Sequence, residues 1–205
     1  MEHDLNLIWE AYVAGLKPNN VSFKKMAEIE KEYFPQIWGG SSEAYIMDDV
    51  KDDMEQPGFY GYALFDDDTN EIYGYAYGYS LTEDELLSDT GITDVSDLDQ
   101  ITFYDKQIEG QVKSMSDPRE LLDIFNERNS FYVSNFVIEN THKGQGGRMA
   151  KKLIDGLKDK GIKYIVFDAL EDTRNLFIRN GKFVPRLGIN KVIARGDTIF
   201  VVDIT

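Results

Sequence analysis

The sequence contains no cysteine, which removes disulfide frameworks, thiolate metal sites and thiol nucleophiles in one stroke. Histidine is nearly absent too: His3 and His142 are the only two, far apart in sequence, so no metal site is expected. No apolar run approaches the roughly 18 residues that a bilayer span needs. The acidic opening MEHDLN lacks the basic start of a secretory leader. The expectation is a soluble, cytoplasmic chain without a membrane partner. Proline is scarce, five in 205 residues, so each one marks a boundary.

Basic residues are scarce in one part of the chain only. Residues 1–129 hold 9 basic and 29 acidic side chains, whereas residues 130–205 hold 13 and 8. An acidic front joined to a mildly basic back suits a cationic substrate on one side and a phosphorylated cofactor on the other. It equally suits acidic loops that only keep the chain in solution. Nucleic acid is not an expected partner, because no basic stripe could neutralise several phosphates.

The periodicity changes along the chain. Asp4–Gly15 reads as a helix, with Leu5, Ile8, Trp9, Tyr12 and Val13 on one face. A second helix is expected from an N-cap at Ser22 to Phe34, ended by Pro35, and a third over Ser42–Met54. Phe59–Phe65 and Ile72–Leu81 flank the turn cluster Asp66–Asn70 and predict an antiparallel hairpin. Gly74 and Gly78 weaken the second strand unless a neighbour approaches the backbone closely there. Residues 82–128 read as a helical insertion with 4 basic and 13 acidic residues. The capping box Thr82-x-x-Glu85 opens it.

From Ser130 the order becomes strand, turn, helix, strand. Phe131–Ile138 is a nearly continuous apolar run, as a strand buried on both faces would be. Met149, Ala150, Leu153, Ile154 and Leu157 then share one helical face up to Gly161. Tyr164–Phe167 is a second buried strand, which closes one βαβ unit. A short helix over Arg174–Asn180 and strands near Val192–Ala194 and Thr198–Ile204 complete the reading.

The turn inside that unit is Lys143-Gly144-Gln145-Gly146-Gly147-Arg148. Three glycines in four positions let backbone amides converge at a helix start, where free N–H groups and the helix dipole favour an anion. Lys143, Arg148 and Lys151 add charge. A P-loop is excluded because no Gly-Lys-Ser/Thr follows the glycines. A dinucleotide fold is disfavoured because only one βαβ unit is present and it comes late. A glycine-rich helix cap with no ligand stays open.

Ile138-Glu139-Asn140-Thr141-His142-Lys143-Gly144-Gln145-Gly146-Gly147-Arg148 resembles the acetyl-CoA motif of the GNAT superfamily of acyl-CoA-dependent N-acyltransferases, written Arg/Gln-x-x-Gly-x-Gly/Ala. Lys143 falls on its first position and Gly146 on its invariant glycine. Arg148 departs from the usual small residue. The helix and exit from Met26 to Trp38, the hairpin, and Leu176-Phe177-Ile178-Arg179-Asn180-Gly181-Lys182-Phe183 are similar to other parts of that family. The resemblance covers about residues 22–81 and 130–203.

It implies an α+β chain, a single domain over 1–205 whose mixed central sheet is flanked by helices and decorated by the 82–128 insertion. It also implies transfer of an acyl group, acetyl first of all, from CoA to a primary amine of a cationic small molecule or protein. Acetyl-CoA would be held by Lys143, Gly144, Gln145, Gly146, Gly147 and Arg148 and by backbone groups of Phe136 and Ile138. Asp168 resembles in place the carboxylate that accepts the amine's proton, although it could equally cap a helix. Phe177 stands where a tyrosine often protonates the leaving thiolate, so a CoA-binding or structural module without chemistry is the alternative. A homodimer is compatible with all of this.

Overall fold

The computed structural model describes residues 2–4, 19–66, 68–69, 71–80, 129–139, 144–168, 191–195 and 199–205. The elements are β1 (Glu2–Asp4), α1 (Asn19–Tyr33), α2 (Pro35–Trp38), α3 (Glu43–Glu55), β2 (Tyr60–Phe65), β3 (Ile72–Tyr79), β4 (Ser130–Ile138), α4 (Gln145–Asp159), β5 (Tyr164–Asp168), β6 (Lys191–Arg195) and β7 (Ile199–Asp203). They fall into two compact units, residues 1–79 with 134–153, and residues 80–133 with 154–205.

In the first unit, β1, β2, β3 and the end of β4 are neighbours in that order. β2 and β3 form the expected hairpin, in register from Tyr60↔Gly78 to Leu64↔Gly74. Its turn is held by Asp66, whose Oδ1 accepts from the N–H groups of Asp68 and Thr69, the local bond that makes aspartate a turn former. One face of this sheet is covered by α1 and α3: Phe23, Met26, Ile29, Val50 and Met54 cluster with Ala63, Phe65, Tyr75, Tyr77 and Val137. Phe23, Met26, Ala27, Ile29 and Glu30 are all buried, the i, i+3, i+4, i+7 stripe of an amphipathic helix. Burial of each large apolar side chain contributes roughly 1.5–3 kcal/mol.

The second unit contains the start of β4 with β5, β7 and β6. β4 and β5 run parallel, Ser130↔Tyr164 to Val133↔Phe167, while β7 is antiparallel to both β5 and β6. The sheet is therefore mixed, as expected. The connection through α4 ends at Gly161, whose φ is +82°. Its N–H bonds Lys158 O at 2.9 Å and that of Ile162 bonds Leu157 O at 3.0 Å, the paired closing bonds of a Schellman cap.

Three boundaries differ from the sequence expectation. Asp4 belongs to strand β1, paired antiparallel with β2 at Asp4↔Tyr62; the rest of the helix expected over Asp4–Gly15 lies outside the described residues. A polar three-residue edge strand takes its stability from backbone pairing, which leaves no periodic trace. α1 begins at Asn19 and not after Ser22, so Ser22 lies inside the helix and does not cap it. Pro35 does not simply stop a helix: it opens the short helix α2 at its first position, where the missing N–H is no loss. The helix expected over Ser42–Met54 is α3, with Ser42 as its N-cap, the Oγ accepting from Tyr45 N at 3.2 Å. The 82–128 insertion and the helix expected over Arg174–Asn180 lie outside the described residues.

Candidate functional site

The glycine turn sits at the start of α4. Gly144 has φ +90°, a left-handed conformation that a side chain would strain, and Gln145 is the first helical residue. The first turn carries no acid, so no carboxylate within it opposes the attraction of the helix start for an anion. Packing does not explain the other glycines. A Cβ on Gly146 would rest 3.7 Å from Ile138 Cδ1, an ordinary contact, and one on Gly147 would meet nothing within 4 Å among the described residues. Space beside the amides of a helix start fits close approach of a phosphorylated ligand. Arg148 and Lys151 are exposed beside it. Lys152 places its Nζ 4.9 Å from the centre of the Tyr62 ring, and Tyr62 shares a hydroxyl–hydroxyl bond with Tyr60. Lys143 lies outside the described residues.

β4 leads into this turn. Glu139 N donates to Tyr73 O at 2.9 Å, so residues of its parity turn their backbone groups toward β3. The backbone groups of Phe136 and Ile138 therefore turn to the opposite edge of the strand. Gly74 is required by the approach of β4, because a Cβ there would lie 2.8 Å from Ile138 Cγ1 and 3.0 Å from Val137 O. The suspicion attached to a glycine inside a strand is explained at this position. Lys25 clamps the exit of β4, its Nζ 2.9 Å from Glu139 Oε1. That hydrogen bond raises the Lys25 pKa against the lowering effect of burial.

The side chains of β4 change phase just before these residues. Val137 joins the α1/α3 core, and Asn135 reaches the same face, donating through Nδ2 to Tyr77 Oη at 3.0 Å. A regular pleat would send Ser134 to the other face. Ser134 Oγ instead donates to Asp53 Oδ2 of α3 at 2.7 Å. Two consecutive side chains thus point to one side, as at a β-bulge. Among the described residues, pairing with β5 runs from Ser130 to Val133, the residue before the irregularity.

A buried polar group in the same unit was not visible in the sequence. Glu30 is 1% exposed. Its Oε1 accepts from Tyr75 Oη at 2.6 Å and its Oε2 from Trp38 Nε1 at 3.1 Å. Burial pushes the carboxyl up to about 7 despite these two donors, and the charges of Asp49 and Asp53 add to the rise. Tyr75 and Tyr77 stack at 5.8 Å, and burial pushes both hydroxyls well above their usual range. A glutamate inside a charged helix reads as a solvated face; only the spacing from Phe23 and Met26 hinted that Glu30 points inward.

Asp168 ends β5, opposite Ile199 of β7. His142 and Phe177 lie outside the described residues. Among the described residues no group of acids and histidines is arranged to hold a metal, and no helix is long and apolar enough to cross a membrane.

No protein-family model matches the chain, and no curated protein sequence does. Solved structures do match. An aminoglycoside 6'-acetyltransferase type Ii is 13% identical over 92% of this chain and 93% of its own, with a TM-score of 0.52. An aminoglycoside 6'-N-acetyltransferase complexed with coenzyme A is 13% identical over 92% and 94%, with a TM-score of 0.51. An acetyltransferase of the GNAT family from Staphylococcus aureus Mu50 is 10% identical over 89% and 93%, with a TM-score of 0.50. The fold is the GNAT fold. At these identities the GNAT likeness concerns architecture, an α+β chain with a mixed sheet and flanking helices, and the chemistry rests on this chain's own residues.

Proposed function

We propose that the protein is an acyl-CoA-dependent N-acyltransferase that transfers an acetyl group to a primary amine of a cationic acceptor. The observation that carries this reading is the start of α4: a left-handed Gly144, an acid-free first helical turn, and Gly146 and Gly147 with no packing demand for glycine. The solved aminoglycoside acetyltransferase complexed with coenzyme A shares this architecture.

Acetyl-CoA supplies the acyl group as an activated thioester. Amides of Gly144, Gln145, Gly146, Gly147 and Arg148 bind its pyrophosphate, with charge from Lys143 and Arg148. Arg148, where a small residue is usual, adds a phosphate contact. Backbone groups of Phe136 and Ile138, on the β4 edge turned away from β3, pair with the amides of the pantetheine arm. Asp168 accepts the proton that the acceptor amine must lose to become nucleophilic. With no cysteine in the chain, the amine attacks the thioester directly and no acyl-enzyme forms on sulfur. The acidic residues of the first 129 positions, including the 82–128 insertion, draw a cation toward the acceptor side. The whole chain acts as a single domain in this reading.

The test is release of free CoA thiol from acetyl-CoA across a panel of amines: polyamines, aminoglycosides, lysine peptides and peptide N-termini. Amine-dependent thiol release with a matching acetylated product supports the assignment. Saturable CoA binding with no thiol release for any amine would make the protein a binding module that retained the fold.

A further inference from the structure

The geometry points to Asp53 and Tyr77 as positioning residues for the cofactor arm, holding the pleat irregularity of β4 from the α3 and β3 side. This inference rests on the proposed acyl-CoA reading. Residues 134 and 135 can share one face of β4 only if something holds them there, because an undistorted strand alternates. Two side-chain bonds do so. Ser134 Oγ donates to Asp53 Oδ2 at 2.7 Å, and Asn135 Nδ2 donates to Tyr77 Oη at 3.0 Å. Both anchors are fixed independently. Asp53 sits near the end of α3, one residue before the buried Met54, and Tyr77 is fully buried in the core.

The consequence lies immediately downstream. Among the described residues β4 pairs with β5 over Ser130–Val133, and from Phe136 onward alternate backbone groups turn to the edge away from β3. Those are the groups assigned to the pantetheine arm. Loss of either clamp frees residues 134 and 135 to move toward a regular pleat while Val137 and Glu139 stay anchored in the core and on β3, which displaces the backbone of Phe136 between them. The phosphate-binding amides of α4 lie beyond residue 144 and are built by a different element. The clamps therefore act on recognition of the pantetheine arm and leave recognition of the nucleotide end alone.

The experiment compares two probes by titration calorimetry: CoA, which engages both regions, and adenosine 3',5'-bisphosphate, which carries the nucleotide end without the arm. Ser134→Ala and Tyr77→Phe each remove one bond. Each is expected to weaken CoA about tenfold, the order of one lost hydrogen bond, with the bisphosphate changed less than twofold. Ser134→Thr keeps a hydroxyl, and Asp53→Asn keeps an acceptor oxygen; both are expected to restore CoA affinity where Ser134→Ala and Asp53→Leu lose it. Equal losses for both probes, no loss for either, or failure of Ser134→Thr to rescue would overturn the inference. A wild-type protein that binds neither probe would instead remove the acyl-CoA reading itself, and this inference with it.

Discussion

Glu30 gives the protein a measurable pH liability. Its ordinary carboxyl value of 4.5 rises to about 7 in the fold, so folding favours the protonated form. The stabilising contribution is complete below pH 4.5 and is lost as pH rises through 7. The gap corresponds to roughly 3 kcal/mol, most of which falls between pH 5 and 8. Glu30→Gln imitates the protonated side chain. Its amide nitrogen can donate to Tyr75 Oη, which donates onward to Met26 O, 3.3 Å away, while its carbonyl oxygen accepts from Trp38 Nε1. Urea unfolding of wild type and Glu30→Gln at pH 5, 6, 7 and 8 isolates the contribution, because every other titrating group cancels in the difference. The variant is expected to gain about 2–3 kcal/mol over wild type from pH 5 to pH 8, or about 5–10 °C in Tm at this chain length. Parallel stability curves for the two proteins would mean that Glu30 ionises freely, and the account of its burial would be wrong.

Other expectations follow from individual contacts. Gly74→Val should destabilise by about 1–3 kcal/mol, since its Cβ would press into Ile138 and Val137 O; denaturant midpoints measure this. Gly147→Ala should leave stability unchanged or slightly raised, because alanine is the better helix former and meets no neighbour among the described residues, yet it should weaken CoA binding by calorimetry. Ser130 Oγ is buried with no hydrogen-bond partner among the described residues, so Ser130→Ala should stabilise by about 1 kcal/mol in the same unfolding assay. Asp168→Asn should lower turnover about 10²- to 10⁴-fold with acetyl-CoA affinity unchanged. Phe177→Tyr should raise turnover at neutral pH if the thiolate now leaves without a protein acid; both are checked by thiol release.

Much of the architecture was legible because its signals are local. The hairpin announced itself through Asp66 and the tyrosine-rich runs, α3 through Ser42, and α4 through Met149, Leu153 and Leu157, all of which are buried. Gly144 and Gly161 were readable as the turn residues that open and close α4, and both carry the left-handed φ that makes glycine necessary. What escaped is set by pairs distant in sequence. The bonds Glu30–Tyr75, Asp53–Ser134 and Tyr77–Asn135 span 45, 81 and 58 residues, and no periodicity encodes them. The three N-terminal strand residues escaped for a related reason, since their partners lie sixty positions away on β2.

The claim that α4 opens on a CoA phosphate site is tested most directly with Gly146→Glu. A Cβ at this position makes only an ordinary 3.7 Å contact with Ile138, so the variant should fold, while its carboxylate would occupy and repel the pyrophosphate. Thermal shift is measured for both proteins with CoA. The account predicts that wild type at 100 times its dissociation constant gains about 2.7 kcal/mol and that the variant gains nothing. Equal stabilisation of the two proteins by CoA would contradict it.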